Sequence, residues 1–261
     1  MKEPGRIGLA LAMSLATAST AFAQDAAEDW DLTVDPAQAL TLASLDFGGN
    51  AVALRCKAGM LEFLLTGAPA STETVRTVQV TAGGIAGESQ TWRAHANTPV
   101  LSADEPDRLA RQLRAGGDLE LRIEPVETGG RGMRFRLTIP PSAAALDQVL
   151  SACGAALTDE WDLRPRAFPS SNIVWERQVA PQYPEAAIGR HGAVAAVRVA
   201  CIVPANGRLD DCRIVFESHD GLGFGRNALA AARESRIRLP DGEMSAVGKV
   251  VHYNVRLRQP Q

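Results

Sequence analysis

Residues 193–218 read AVAAVRVACIVPANGRLDDCRIVFES. Two alternating runs, Ala193–Val203 and Arg208–Ser218, flank Asn206-Gly207. That dipeptide favours a two-residue type I′ hairpin, because both of its residues tolerate positive φ. Such a turn sets the pairing, with Val203 opposite Asp210, Cys201 opposite Cys212, Val199 opposite Ile214 and Val197 opposite Phe216. Directly opposed residues lie roughly 4.5–5.5 Å apart at Cα, within reach of a disulfide. A Cys201–Cys212 bridge is therefore expected, on a core face shared with Val197, Val199, Ile214 and Phe216.

Downstream, Gly221–Gly225 opens a helix that carries Phe224, Ala228, Ala231 and Ala232 to about Arg236. Pro240-Asp241-Gly242 ends that region. In the last strand Val251, Tyr253, Val255 and Leu257 share one face, and His252, Asn254, Arg256 and Arg258 the other. A short helix is expected near Pro184–Gly189.

Upstream lies a second set of elements. Strand-like runs are Val52–Cys56, Leu61–Thr66, Val75–Val80, Leu119–Glu124 and Met133–Ile139, punctuated by Gly83-Gly84, Gly116-Gly117 and Gly129-Gly130. One helix starts near Glu105-Pro106 and stops at Gly116-Gly117. Another runs about Ser142–Cys153, with Leu146, Val149, Leu150 and Cys153 on one stripe. Cys56 and Cys153 both aim inward, so a Cys56–Cys153 bridge is expected. Residues 157–180, with Pro165, Pro169, Ser170-Ser171 and two Trp, read as a linker partly packed through Trp161 and Trp175. The fold class is α+β in two domains, an N-terminal α+β domain of unassigned role over 24–156 and a C-terminal unit over 181–261.

Among 261 residues, 27 Lys+Arg stand against 30 Asp+Glu, which argues against a nucleic-acid binder and its dense basic face. Residues 24–156 hold 11 basic and 17 acidic side chains, and residues 181–261 hold 11 and 8. Residues 1–23 show a charged start, an apolar Ile7–Ala21 stretch and a small-x-small Ala21-Phe22-Ala23 end, the layout of a signal peptide cleaved before Gln24. The rival reading is an uncleaved anchor in the inner membrane, for which the stretch is short. Export makes disulfides the expected use of four cysteines, and their spacings fit no zinc pattern.

Pro181-x-Tyr183-Pro184, Gly192-x-Val194, Asn206-Gly207-Arg208-Leu209, Phe224 with Ala228-Leu229, and Arg238-x-Pro240 fall in an order that resembles the TonB C-terminal domain family of energy transducers, over residues 181–258. The resemblance implies a periplasmic module, a three-stranded antiparallel sheet backed by helices. It also implies an extended peptide partner, the TonB box of an outer-membrane transporter. The cleavable start and the lack of a Pro-rich tether point to binding rather than force transmission. Ile237 and Leu239 also replace the family's usual aromatics.

No catalytic, cofactor or metal residues are expected. Ser218-His219-Asp220 is contiguous, whereas a relay needs side chains converging from separate places. His95, His191, His219 and His252 read as solvated surface histidines, Asp104-Glu105-x-Asp107 as a helix N-terminal cluster, and Arg131, Arg134 and Arg136 as a solvent-facing strand. The leading expectation is a periplasmic binding or adaptor protein. It would capture an extended segment by β-augmentation along Val250, His252, Asn254, Arg256 and Arg258. The alternatives are an envelope structural or stress protein that uses the module as a scaffold, and a hydrolase in residues 24–156.

Overall fold

Alternation from Asp31 to Ile139 builds one long antiparallel sheet. The computed structural model describes residues 30–70, 73–125, 132–142, 144–167, 172–190, 194–219, 221–239 and 244–259. The sheet's strands are β1 (Asp31–Asp35), β2 (Leu40–Asp46), β3 (Ala51–Lys57), β4 (Met60–Thr66), β5 (Val75–Ala82), β6 (Ile85–Ala94), β7 (Val100–Ser102), β8 (Gly117–Ile123) and β9 (Met133–Ile139). Their spatial order is β1-β2-β3-β4-β7-β6-β5-β8-β9. Val52, Leu54 and Cys56 of β3 and Leu61, Phe63 and Leu65 of β4 point to one buried face. Onto it pack α1 (Pro106–Leu113) through Leu109 and Leu113, and α2 (Ala145–Ala152) through Leu146, Val149 and Leu150. The Cys56–Cys153 disulfide ties the end of α2 to β3.

A second sheet follows, made of β11 (Val194–Ile202), β12 (Asp210–Glu217) and β14 (Val250–Arg258), all antiparallel in the order β12-β11-β14. The helix α3 (Phe224–Glu234) buries Phe224, Ala228, Ala231 and Ala232 against Val197, Val199, Tyr253 and Leu257. Two short strands, β10 (Trp175–Arg177) and β13 (Arg236–Ile237), pair beside it. The described fold is thus mixed, with strands predominating, and carries two disulfides.

The hairpin departs from its expected form in two ways. Its turn spans Pro204–Gly207, closed by the Gly207 N–H on Pro204 O at 3.0 Å, with positive φ at Gly207 alone of the Asn206-Gly207 pair. Pro204 has no N–H to extend the β11–β12 ladder. The chain beyond it pairs with β13 instead, Ile237 N–H donating to Gly207 O at 2.9 Å. The register also shifts twice. Val199 still faces Ile214, and the Cys201–Cys212 bridge forms beside an irregularity at Asp211, whose φ is 43°. The second shift places Phe216 opposite Arg198, and Val197 opposite Glu217. One extra residue, Val215, turns Phe216 to the other face, where it enters the core of the nine-stranded sheet. Ile214, expected in the core, is 40% exposed.

Within residues 157–180 the described residues pack through both tryptophans. Trp161 is buried against Ala200 and Val250, flanked by Arg213 at 4.1 Å and Arg164 at 4.7 Å from its ring centre. Trp175 meets Tyr253 edge-on at 5.7 Å. No helix among the described residues is long and apolar enough to cross a membrane. The expected signal peptide 1–23, Gly129-Gly130, Arg131, Pro169, Ser170-Ser171, His191, Gly192, Asp220 and Pro240-Asp241-Gly242 lie outside the described residues.

Candidate peptide-docking edge and the interface behind it

β14 occupies an outer position in its sheet. In an antiparallel strand the N–H and C=O of one residue point to the same side and alternate along the chain. Val250 donates to Pro165 O at 3.0 Å and accepts from Ala167 N–H at 2.7 Å, both away from β11. Lys249 O instead accepts from Val203 N–H, on the inner side. By the same alternation His252, Asn254, Arg256 and Arg258 direct their backbone groups outward. There they meet no backbone partner among the described residues.

Beside this edge runs a groove of about 380 Å³, lined by Gln178, Ala180, Pro181, Tyr183, Tyr253, Val255 and Leu257 among others. Its far wall is anchored. Tyr253 Oη donates to Val179 O, Val179 N–H donates to Ser235 Oγ at 3.0 Å, and Asn227 Nδ2 donates to Gln182 O at 2.9 Å. Burial pushes the Tyr253 phenol up to about 12. Tyr183 packs edge-on against Phe224 at 5.1 Å. Its hydroxyl is buried and has no hydrogen-bond partner among the described residues.

The other face of β14 is an interface, which corrects the expectation of a solvated polar face. His252 is 9% exposed, its Nδ1 3.1 Å from Glu105 Oε1 at the start of α1. Glu105 also accepts from Arg166 Nη2 at 2.7 Å and Nε at 3.1 Å. Arg198 of β11 donates to Asp107 and to Asp104 O, and Asn254 Nδ2 donates to Asp104 Oδ1 at 3.2 Å. Arg111 joins Asp107 to Asp162, and Arg213 reaches Asp159. Burial alone would raise the Glu105 carboxyl, but His252 and Arg166 hold it well below the usual range. Asp107 behaves likewise, burial raising it and Arg198 with Arg111 lowering it further than burial raises it. The acidic run does open α1, as expected, but its side chains are held by arginines, His252 and, at Asp104, the Asn254 amide rather than by the helix end.

A cleft of about 280 Å³ lies between the sheets, with Glu62, Arg93, Ser102, Asp104, Arg198, Asn254 and Arg256 in its walls. Burial, and then the like charge of Arg256, lowers Arg93 from its ordinary value. His95 Nε2 contacts Ser102 Oγ at 2.5 Å, and Ser218 Oγ contacts His219 Nδ1 at 2.7 Å. Ser218 Oγ also accepts from Ala196 N–H at 3.0 Å, a structural bond across the hairpin. Arg134 and Arg136 both pair with Glu120. Sequence reasoning named Pro181 and Tyr183 only through the resemblance, and missed the groove wall at 178–183 as a wall and the place of Arg93 in the cleft. The first has no periodicity, and the second sits on β6, where buried Gln90 and Thr91 break the alternation that marks a strand. No family model, curated protein or solved structure matches this chain.

Proposed function

We propose that the chain is an exported, periplasmic adaptor whose C-terminal TonB-like module captures an extended segment of an envelope or outer-membrane protein. The segment adds to the outer edge of β14 as a fourth strand. The observation that carries this reading is the row of outward backbone groups at 252, 254, 256 and 258, set beside a groove whose buried Tyr183 hydroxyl has no partner among the described residues. Each main-chain bond nets about 0.5–1.5 kcal/mol, so affinity requires several in register together with apolar burial in the groove. The ordered resemblance of residues 181–258 to the TonB C-terminal domain supports it from the sequence side. Two disulfides fit an oxidising compartment. His252 is buried in the interface and Asn254, though exposed, bonds Asp104 and Arg198, so Arg256 and Arg258 are the exposed charged side chains of the edge.

Asn254→Pro removes one outward donor, and Asn254→Ala controls for the lost side-chain bonds. The probe is a nine-residue peptide alternating threonine and valine with a central aspartate, titrated by calorimetry against the full chain. Wild type and the Ala variant are expected to bind, with affinity at least tenfold weaker in the Pro variant. Equal binding by the Pro variant would remove the edge as the site. Absence of binding by wild type would leave the module as an envelope scaffold.

A further inference from the structure

The two recesses described above meet at one strand. Val255 and Arg256 line both the apolar groove and the cleft between the sheets. Tyr253, Val255 and Leu257 face the groove side, whereas Asn254 and Arg256 face the nine-stranded sheet. A segment added to β14 inherits this alternation, because side chains on neighbouring strands share faces in register. Every second side chain of the segment would then lie over the groove, and the others over the mouth of the cleft.

The charges of that cleft do not cancel. Glu62 is paired with Arg55 and Arg198 with Asp107, while Asp104 accepts from the neutral Asn254 amide and keeps its charge. Glu62 and Asp104 both attract Arg93, but with Arg256 beside it the cleft still carries an excess of positive charge. Neither Arg93 nor Arg256 makes a salt bridge or a side-chain hydrogen bond among the described residues, and they face each other from opposite sheets. Two such guanidiniums repel, and an anion between them reverses the sign of the interaction. Guanidinium groups match a carboxylate in shape, with paired parallel hydrogen bonds. We propose that Arg93 and Arg256 form a two-arginine clamp for a side-chain carboxylate of the captured segment, so that the N-terminal sheet takes part in choosing the partner. The clamp rests on the β14 edge reading and gives the N-terminal sheet a role in recognition.

The experiment uses the full chain and two peptides, the nine-residue threonine–valine peptide with a central aspartate and the same peptide with asparagine in its place. Wild type is expected to bind the aspartate form about tenfold more tightly at low salt, as for one charge-assisted pair. That ratio should shrink as salt screens exposed groups. Arg93→Gln should bring the ratio to about twofold or below, and Arg93→Lys should restore part of it. A thermal melt of each variant checks that the nine-stranded sheet is intact. If the ratio survives Arg93→Gln while Asn254→Pro still weakens binding of both peptides at least tenfold, the clamp is wrong and the edge stands. If Asn254→Pro binds both peptides as wild type does, the edge falls and the clamp falls with it.

Discussion

The Glu105 carboxylate accepts from Arg166 and faces His252 with only 7% of its side chain open to solvent. Arg108 Nη1 stands a further 3.7 Å away, held in turn by Glu88 at 2.6 Å. A charge so placed is stable because its partners are equally buried, and deleting one of them strands the rest. Glu105→Ala is expected to lower unfolding free energy by about 3–5 kcal/mol, read from urea denaturation at pH 7. Glu120→Ala, which breaks exposed pairs with Arg134 and Arg136, should barely move the midpoint. Similar losses at the two positions would show that burial is not what gives Glu105 its weight. The sequence displays the acidic run but hides its partners, since Arg166 is 61 residues away and His252 lies on another sheet.

The two disulfides are the part of the fold most legible at the scale of elements. Cys201 and Cys212 face each other across alternating strands, and Cys153 ends the apolar stripe of α2 that packs on the Cys56 side of β3. Periodicity fixes facing, so it found both pairs. It did not find the register shifts, because a bulge costs one residue and leaves the composition unchanged, and so Phe216 turned to the wrong core. β1 and β2 also escaped notice. Leu32 and Val34 of β1 are exposed at the sheet edge, so its alternation marks no buried face, and β2 reads as a short run of small and apolar residues. The bridges separate residues by 97 and 11 positions. Loop-closure entropy then assigns about 4.7 kcal/mol to Cys56–Cys153 and about 2.8 kcal/mol to Cys201–Cys212. Replacing both cysteines of each pair by alanine should therefore cost about 2 kcal/mol more for the first pair, measured by guanidinium denaturation. An equal or reversed order would mean that native-state strain or residual denatured structure outweighs loop length.

Across the whole molecule, the acidic N-terminal half and the basic C-terminal half meet through the bonds of Asp104, Glu105 and Asp107 to Arg198, His252 and Asn254. Arg213, stacked on Trp161 and paired with Asp159, closes the same seam from β12. Glu105 and Asp107 both titrate below their ordinary values of 4.5 and 3.8 in the folded chain. On acidification the unfolded chain takes up those protons first. The stabilisation is therefore complete above about pH 4.5 and is lost as pH falls through the lower folded values. Because both carboxylates lie on the seam, acid should loosen the contact between the sheets before it melts either sheet. The Trp161 contribution to fluorescence, taken as the difference between wild type and Trp161→Phe, reports the seam, and far-ultraviolet circular dichroism reports the strands. At pH 7 the two signals should follow one urea transition, and below about pH 4 the Trp161 change should come at lower urea than the loss of strand signal. Glu105→Gln lacks one of the two titrating groups and should show a shallower fall in stability across the same pH range. Coincident transitions at every pH would place the cooperativity of the molecule in its apolar contacts, such as Phe216 in the nine-stranded core, rather than in the ion pairs of the seam.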